Sequence, residues 1–211
     1  MYEIQIPNIR FDDIELLKPT RISIQKGKAY CIVGANGSGK TTLLNYILTD
    51  QNTEVSLADE VISQKEFKKK AAFIPNNPPL FDLLTGWENI NYIASLWGIK
   101  NKKQYITQVN TYCKLFELST AVLKNQVQTY SLGMKYKLFL IAMISREINL
   151  LLLDEPFTAL DKSSQQKAYD ILTNFLTEKN SIIFVTHIEE FRVQLSDHIY
   201  EIKDQNLVKV H

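Results

Sequence analysis

The sequence predicts an α/β fold with a mostly parallel sheet and antiparallel strands at its N-terminus. Two apolar runs, over 148–153 and 181–186, have the composition of strands that are buried on both faces of a parallel sheet. They alternate with longer segments in which apolar residues recur at helical spacing. Because strands that alternate with helices build parallel sheets, this pattern indicates an α/β domain.

The N-terminal part of the chain is predicted to hold short strands and one helix. Residues 2–33 contain strand-like segments separated by turns, among them Lys26-Gly27-Lys28. A helix over 40–49 begins directly after a glycine-rich loop and carries its leucines on one face. Further short strands are predicted over 53–63 and over 71–74, where a proline ends the strand.

The middle of the chain is predicted to be rich in helix. Apolar spacing indicates helices over 89–97, 102–116 and 133–146, the last with Ser131 as its N-cap. The later sequence predicts helices over 162–178 and 188–195, and a hairpin that pairs 198–202 with 207–210. We expect one domain over residues 1–211, with a core of about 1–77 and 148–211 and a helical subdomain of about 78–147.

Composition excludes several classes of protein. The chain has 211 residues, 45% of them hydrophobic, and a formal net charge of +1, so no global field favours nucleic acid or an anionic membrane. The basic run Lys65 to Lys70 is predicted to be a solvated surface segment. Cys31 and Cys113 lie too far apart in sequence to indicate a metal site. The N-terminus lacks the pattern of a signal peptide, and no apolar run approaches the ~20 residues of a membrane span.

The strongest functional signal is a glycine-rich segment between a strand over 30–33 and the helix over 40–49. It consists of Gly34, Ala35, Asn36, Gly37, Ser38, Gly39, Lys40 and Thr41, and Thr42 follows it. The glycines let backbone N–H groups approach phosphate oxygens, and the helix N-terminus adds the positive end of its dipole. Lys40 can reach the β- and γ-phosphates, and Thr41 supplies a hydroxyl for Mg²⁺. This P-loop predicts that the chain binds ATP.

Two carboxylates follow the apolar strand over 150–153. Asp154 ends that strand and Glu155 comes next. At the carboxyl edge of the sheet, Asp154 would lie beside the P-loop and hold Mg²⁺ through water. A carboxylate at position 155 can orient and deprotonate an attacking water. The pair therefore predicts hydrolysis of ATP as well as binding.

The order of these motifs along the chain resembles the ATP-binding-cassette (ABC) ATPases. The P-loop is followed by the helical insertion, by Tyr130-Ser131-Leu132-Gly133-Met134, by Asp154-Glu155-Pro156, and by Thr186-His187. The resemblance covers about residues 2–203 and implies a P-loop NTPase core that uses ATP and Mg²⁺. It also implies two partners, which are a second copy of the chain or a homologous ATPase subunit, and integral membrane permease subunits. No nucleic acid is expected, and the expected location is the cytoplasmic face of the cell membrane.

The resemblance implies roles for the residues of one ATP site. Glu155 matches the catalytic base, His187 matches the histidine that senses the γ-phosphate, and Lys40 matches the P-loop lysine. The Mg²⁺ ligands would be Thr41, Asp154 and Asn76, of which Asn76 stands where the family usually has glutamine. Because asparagine is one methylene shorter, its reach to Mg²⁺ is open.

Other residues match family motifs that lie outside the P-loop and the carboxylate pair and that contact ATP or the opposite subunit. Ser131 and Gly133 match the signature loop, which closes over ATP bound to the other protomer, and Asp161 ends the D-loop, which contacts the opposite subunit. Phe11 lies where the family has an aromatic residue that stacks on adenine. A core residue of a first strand is the alternative for Phe11.

Several functions are compatible with these motifs. The leading hypothesis is the ATPase subunit of a transporter that exports a drug, a peptide or a bacteriocin, because Ser-Leu-Gly-Met and Leu84 to Ile90 resemble the type-2 exporter branch. An importer ATPase is the runner-up, and the altered Asn76 and Leu132 motivate an ATP-switched binding module with weak turnover. A soluble ABC ATPase of repair or translation lacks support, because the chain has no heptad insertion and only one cassette. A small P-loop kinase would leave His187 unexplained.

Overall fold

The computed structural model describes residues 1–210, which form twelve strands, seven α-helices and two short 3₁₀ turns. The strands are β1 Tyr2–Ile6, β2 Ile9–Phe11, β3 Ile14–Leu17, β4 Thr20–Ile24, β5 Ala29–Gly34, β6 Glu54–Leu57, β7 Glu60–Ile62, β8 Ala71–Ile74, β9 Leu150–Asp154, β10 Ser181–Val185, β11 His198–Lys203 and β12 Asn206–Lys209. The helices are α1 Lys40–Thr49, α2 Gln64–Lys70, α3 Gly86–Leu96, α4 Lys102–Leu115, α5 Leu132–Ile144, α6 Lys162–Phe175 and α7 Glu189–Leu195. The 3₁₀ turns are Val122–Lys124 and Val127–Thr129.

A six-stranded sheet in the order β12-β11-β5-β10-β9-β8 forms the centre of the fold. Its pairs are parallel except for the β11–β12 hairpin. A separate four-stranded antiparallel sheet, β4-β1-β6-β7, and the β2–β3 hairpin come from the first sixty or so residues. The predicted fold class, a mostly parallel sheet with antiparallel strands at the N-terminus, is confirmed.

The central sheet is buried on both faces, because its strands alternate between two hydrophobic clusters. Leu151 and Leu153 of β9 pack with the helices of the 86–144 region and with α6 and α7. Leu150 and Leu152 pack on the opposite face, with α1 and the antiparallel sheet. All of these leucines are fully buried. A continuous apolar run, rather than an alternating one, is therefore what this strand needs.

Most predicted elements lie where the sequence placed them, with four differences, the first of which is that α3 begins at Gly86 rather than at 89. The run Lys65 to Lys70 is largely exposed, as expected, but it forms the unpredicted helix α2, which the Ser63 and Glu66 side chains cap reciprocally. Helix α6 ends at Phe175 rather than 178, because Leu176 takes an extended conformation and Thr177 then pairs with Asn180. The segment 122–129 contains two 3₁₀ turns that were not predicted.

The stretch 78–147 contains α3, α4 and α5, and its status as a separate subdomain stays a prediction. Ser131 caps α5 as the sequence predicted, since its Oγ accepts a hydrogen bond from Met134 N at 3.2 Å. Within residues 1–210, every helix is too short or too polar to cross a bilayer.

Candidate nucleotide-binding site

Four parallel strands end at one edge of the central sheet, and the loops that follow them form the candidate site. The P-loop follows β5, the carboxylates 154 and 155 come at the end of β9, and His187 lies two residues beyond β10. Asn76 lies two residues beyond β8. Because β8, β9, β10 and β5 are neighbours in the sheet, these loops lie side by side.

The P-loop turns sharply from β5 into α1. Gly39, the N-cap of α1, has φ of +95°, and Gly37 has φ of +77°, so both occupy backbone conformations that residues with a Cβ rarely adopt. Among residues 1–210, no side chain caps this helix end. The first N–H groups of α1 therefore keep no intramolecular side-chain partner and are available to an anion.

Lys40 is folded back over the loop that precedes it. Its ammonium group donates hydrogen bonds to Gly34 O at 2.9 Å and to Ala35 O at 2.8 Å, and the residue is only 8% exposed. The side chain thereby places a buried positive charge at the mouth of the P-loop.

Thr41 and Asp154 join the P-loop to the end of β9. Thr41 Oγ1 lies 3.0 Å from each carboxylate oxygen of Asp154, to which it donates. Burial raises the pKa of the Asp154 carboxyl, against the Thr41 hydrogen bond and the charges of Lys40 and His187, which lower it. A hydroxyl and a carboxylate in contact are hard oxygen donors of the kind that Mg²⁺ takes.

Glu155 is held in an unusual backbone conformation. Its φ is +52°, in the left-handed region, and its backbone N–H donates to Val185 O at 3.0 Å. Its Oε2 accepts hydrogen bonds from His187 N and from Thr158 Oγ1, both at 3.2 Å. A strained backbone conformation of this kind persists where neighbouring contacts stabilise it. Here it places the Glu155 side chain at the wall of the cleft.

The second oxygen of the same carboxylate is left without a hydrogen bond. Glu155 Oε1 is buried and finds no hydrogen-bond partner within residues 1–210. The His187 Nε2 atom approaches it to 3.2 Å, without hydrogen-bond alignment, and the His187 side chain is 61% exposed. A buried acceptor without a partner is uncommon and indicates a group that the site still has to supply.

These loops enclose a cleft of about 410 Å³. The predicted residues that line it are Asn36, Gly37, Gly39, Lys40, Thr41, Thr42, Asn76, Asp154, Glu155 and His187. Leu16 of β3 and Val185 of β10 line it as well, and the sequence analysis missed both. No sequence motif marks Leu16, because it belongs to a hairpin that is remote in sequence from the P-loop. In the fold it lies close to the loop, since a Cβ added at Gly39 would be 3.5 Å from the Leu16 side chain.

The remaining predicted residues do not line this cleft. Ala35 and Ser38 lie on the other side of the P-loop, beside β11 and its turn, and a Cβ at Gly34 would come 3.0 Å from Ile202 O. Phe11 is 67% exposed at the tip of the β2–β3 hairpin. Ser131 and Asp161 are exposed N-caps of α5 and α6, and neither lines the cleft.

Gly133 fixes how closely the start of α5 approaches the segment 158–161. A Cβ at this position would lie 2.7 Å from Ala159 O, which is closer than any side chain tolerates. The segments 131–134 and 158–161 therefore pack into one partly exposed surface, which does not line the cleft but adjoins it through the Thr158–Glu155 hydrogen bond.

A model of the ABC transporter family matches residues 17–158 of the chain, which is more than half of its length. The chain belongs to the ABC transporter family. The ergothioneine transport ATP-binding protein of Helicobacter pylori is 30% identical to it over 209 residues, which cover 95% of this chain and 97% of that protein. An uncharacterized ABC transporter ATP-binding protein of Synechocystis is 30% identical over 190 residues, covering 88% of this chain and 53% of its own length.

Solved structures of this family have the same fold. A dimeric ATP-binding cassette in a post-hydrolysis state, with ADP and phosphate bound, superimposes with a TM-score of 0.80 at 22% identity and covers 98% of this chain and 96% of that one. This chain spans about half the length of the first curated relatives that it matches. It covers 53%, 57% and 58% of the lengths of three of them.

Proposed function

We propose that the chain is the ATP-hydrolysing subunit of an ABC transporter, and that two copies clamp ATP between them to drive separate membrane subunits. The observation that carries this proposal is the cleft in which the P-loop, Asp154, Glu155 and His187 converge at the ends of neighbouring strands. Binding and hydrolysis of a nucleoside triphosphate need these groups within a few ångströms of the same phosphates.

The phosphates of ATP occupy the P-loop. The uncapped N-terminus of α1 offers backbone N–H groups, and Lys40 exchanges its two carbonyl partners for phosphate oxygens. Because its ammonium group is already held at the loop, little side-chain order is lost on binding.

The chain also fits Mg²⁺. The Thr41 hydroxyl and the Asp154 carboxylate are in contact, and Asn76 lines the same cleft and provides an amide oxygen. When bound, Mg²⁺ would neutralise charge on the β- and γ-phosphates. The raised pKa of Asp154 fits this role, because a cation beside the carboxyl would restore the charged form that burial disfavours.

Glu155 takes the proton of the attacking water. Its buried Oε1 has no hydrogen bond, so it accepts that proton while the water oxygen bonds to the γ-phosphorus and the bond to the bridging oxygen of ADP breaks. His187, whose backbone N–H donates to the other Glu155 oxygen, lies beside the γ-phosphate and stabilises its developing charge. ADP and phosphate are then released.

The second half of the site comes from another protomer. Ser131 and Asp161 are exposed, Gly133 is half-buried, and none of them lines the cleft, which leaves this surface available to close over ATP held by a partner. The dimeric cassette with bound ADP and phosphate that has a similar fold supports such an arrangement. Phe11, exposed on its hairpin, is free to stack on adenine. We expect an isolated protomer to bind ATP and to hydrolyse it poorly.

The membrane partner is proposed to dock in an apolar groove near residues 76–97. This groove has a volume of about 510 Å³, and its lining includes Phe81, Tyr92, Leu96 and Trp97. Phe81, Tyr92 and Leu96 are 48%, 45% and 64% exposed. An exposed aromatic patch of this kind fits a short apolar segment of a permease subunit.

For the transported substrate, the resemblance to type-2 exporters favours export of a drug, a peptide or a bacteriocin, and import is the alternative.

A second candidate function is an ATP-switched module with weak turnover. Asn76 is shorter than the glutamine usual at its position, and the signature loop carries Leu132, which is 50% exposed. This alternative predicts that the wild-type chain, reconstituted with its permease, stays dimeric in Mg-ATP and produces almost no phosphate. Steady-state turnover in that complex would exclude it.

The proposed function is tested by the rate of phosphate release from ATP. Replacing Glu155 by glutamine removes the proton acceptor and should lower the rate at least about 100-fold, with little change in ATP affinity. Glu178→Gln is the matched control, because Glu178 is exposed and lies outside the cleft, and it should leave the rate unchanged. A wild-type rate in the Glu155→Gln protein would overturn the mechanism.

A further inference from the structure

Another pocket lies at the amino-terminal edge of the central sheet, where Lys70 precedes β8 and Arg146 and Glu147 precede β9. Its volume is about 380 Å³, within the range of small-molecule sites. It forms where the end of α2, the connection between α3 and α4, and the end of α5 come together. It shares no lining residue with the nucleotide cleft, so the proposed ATPase activity does not account for it.

The lining of this cationic pocket has an excess of positive charge. Lys69, Lys70, Lys100 and Arg146 line it, whereas Glu147 is its single carboxylate. None of the four cations forms an ion pair with a carboxylate anywhere in residues 1–210. Four cations against one carboxylate leave the lining with an excess of positive charge, which a bound anion would balance.

Arg146 is the buried member of this group. It is 6% exposed, and its guanidinium lies 3.6 Å from the centre of the Trp97 ring. Its Nη2 donates to the carbonyl oxygens of Lys68, Lys69 and Ala71 at the end of α2. Burial lowers the pKa of Arg146 to about 10, which leaves the group charged at neutral pH. These contacts fix a positive charge in the pocket wall without neutralising it.

The N-terminus of α4 opens on the same pocket. Asn101, the N-cap of this fourteen-residue helix, and Gln104 of its first turn both line it. The Asn101 side chain accepts a hydrogen bond from Gln104 N at 3.1 Å, but the first turn contains no acidic residue, so no negative charge offsets the positive end of the helix dipole. The dipole therefore adds to the field of the four cations.

A buried hydroxyl in the wall has no partner. Ser145 lines the pocket and is 8% exposed, yet its Oγ forms no hydrogen bond within residues 1–210. A buried serine hydroxyl normally satisfies itself on a nearby carbonyl. Because the Oγ atom is shielded from solvent, it would donate to a ligand oxygen in the pocket after the Ser145 side chain rotates toward it.

We infer that this pocket binds a phosphate-bearing anion, held by the lysines, Arg146 and the N-terminus of α4, with Ser145 as a neutral hydrogen-bond donor. Phosphate is the matching chemistry because several oxygens on one centre can meet several cations and a helix N-terminus together. The phosphate can belong to a soluble phosphate ester or to a lipid headgroup. An acidic peptide is a poorer match, because its carboxylates are spaced along a chain and the pocket is compact.

The test measures binding of pyrophosphate by calorimetry in a Lys40→Ala background, which suppresses binding at the P-loop. The Lys70→Gln/Lys100→Gln double variant should weaken binding by at least about tenfold. Its matched control is Lys65→Gln/Lys124→Gln, which removes the same charge from exposed lysines outside the pocket and should leave affinity within about twofold. Ser145→Ala should weaken binding about fivefold at unchanged charge, which a long-range field would not do.

Flotation with vesicles separates the two sources of phosphate. Binding to phosphatidylglycerol vesicles, but not to phosphatidylcholine vesicles, together with loss in the Lys70→Gln/Lys100→Gln protein, assigns the site to a lipid headgroup. Pyrophosphate binding without vesicle binding assigns it to a soluble ester. The inference is overturned if neither probe binds, if the two double variants lose affinity equally, or if only an oligoglutamate peptide binds. None of these outcomes bears on hydrolysis at the P-loop.

Discussion

At the scale of single residues, buried polar atoms without hydrogen bonds mark the places where the protein does not itself supply a hydrogen-bond partner. Five such atoms occur within residues 1–210, and they are Ser38 Oγ, Gln64 Oε1, Tyr136 OH, Ser145 Oγ and Glu155 Oε1. Ser38 and Glu155 belong to the P-loop and the cleft, and Ser145 belongs to the cationic pocket. Ligands can satisfy those three, whereas Tyr136 lies inside α5, fully buried in the core.

Tyr136→Phe should therefore stabilise the protein. Removing a buried hydroxyl that makes no hydrogen bond should raise the free energy of unfolding by about 1 kcal/mol. Tyr105→Phe is the matched control, because Tyr105 is equally buried but its OH donates to Ala142 O at 2.9 Å. That control should lose about 1 kcal/mol. Urea denaturation compares the two, and a loss of stability in both variants would show that Tyr136 OH has a partner.

Site residues that belong to contiguous motifs could be predicted from the sequence, whereas site residues outside any motif could not. Thr41 and Asp154 were assigned to one site because each follows a buried strand of a parallel sheet, and they are in hydrogen-bond contact. Leu16 has no motif around it, and only the fold of the β2–β3 hairpin brings it to the cleft. The left-handed backbone of Glu155 was equally out of reach, because it depends on contacts with Val185 and His187.

At the scale of elements, helix caps separate stability from function. Ser131 caps α5 and Thr85 caps α3, each by accepting a hydrogen bond from a backbone N–H three residues later. Replacing either by alanine should cost about 1 kcal/mol of stability. Only Ser131 lies on the surface proposed to close over the partner's ATP, so only Ser131→Ala should also lower turnover by an order of magnitude or more. Equal turnover in the two variants would contradict the proposed role of Ser131.

Short elements escaped the sequence analysis for a physical reason. Helix α2 spans only seven residues, and Phe67 is its single buried residue, so no 3.6-residue periodicity can develop. The sequence feature that indicates this helix is the capping box of Ser63 and Glu66. It was missed because the run of lysines that follows was interpreted as a solvated surface segment. By contrast, α1 and β8 were predicted to the residue, because a glycine loop and a proline mark their ends.

At the scale of the whole molecule, Asp197 joins the two ends of the chain in the central sheet. It precedes β11 and accepts hydrogen bonds from Lys28 Nζ at 2.7 Å and from Ala29 N, at the start of β5, at 2.8 Å. Burial alone would raise the pKa of the Asp197 carboxyl, but these two hydrogen bonds and the Lys28 charge hold it below its ordinary value.

Asp197→Ala should destabilise the protein by about 1–2 kcal/mol at neutral pH. Because the folded-state pKa lies below the unfolded-state pKa, the contribution is complete above the unfolded value and disappears as pH falls through the folded value. Denaturation at a series of pH values should show the cost shrinking on acidification. Glu178→Ala, which removes an exposed carboxylate that forms no ion pair within residues 1–210, should show little cost at any pH. A pH-independent cost for Asp197→Ala would contradict this account.

The central claim is that one protomer's P-loop and the other's signature loop complete each ATP site. Sedimentation of the Glu155→Gln protein in Mg-ATP tests it most directly, because hydrolysis cannot reopen the complex. We expect a dimer that retains two ATP molecules and that reverts to monomer when Ser131→Ala is added. A Glu155→Gln protein that binds one ATP at saturation and stays monomeric would contradict the claim.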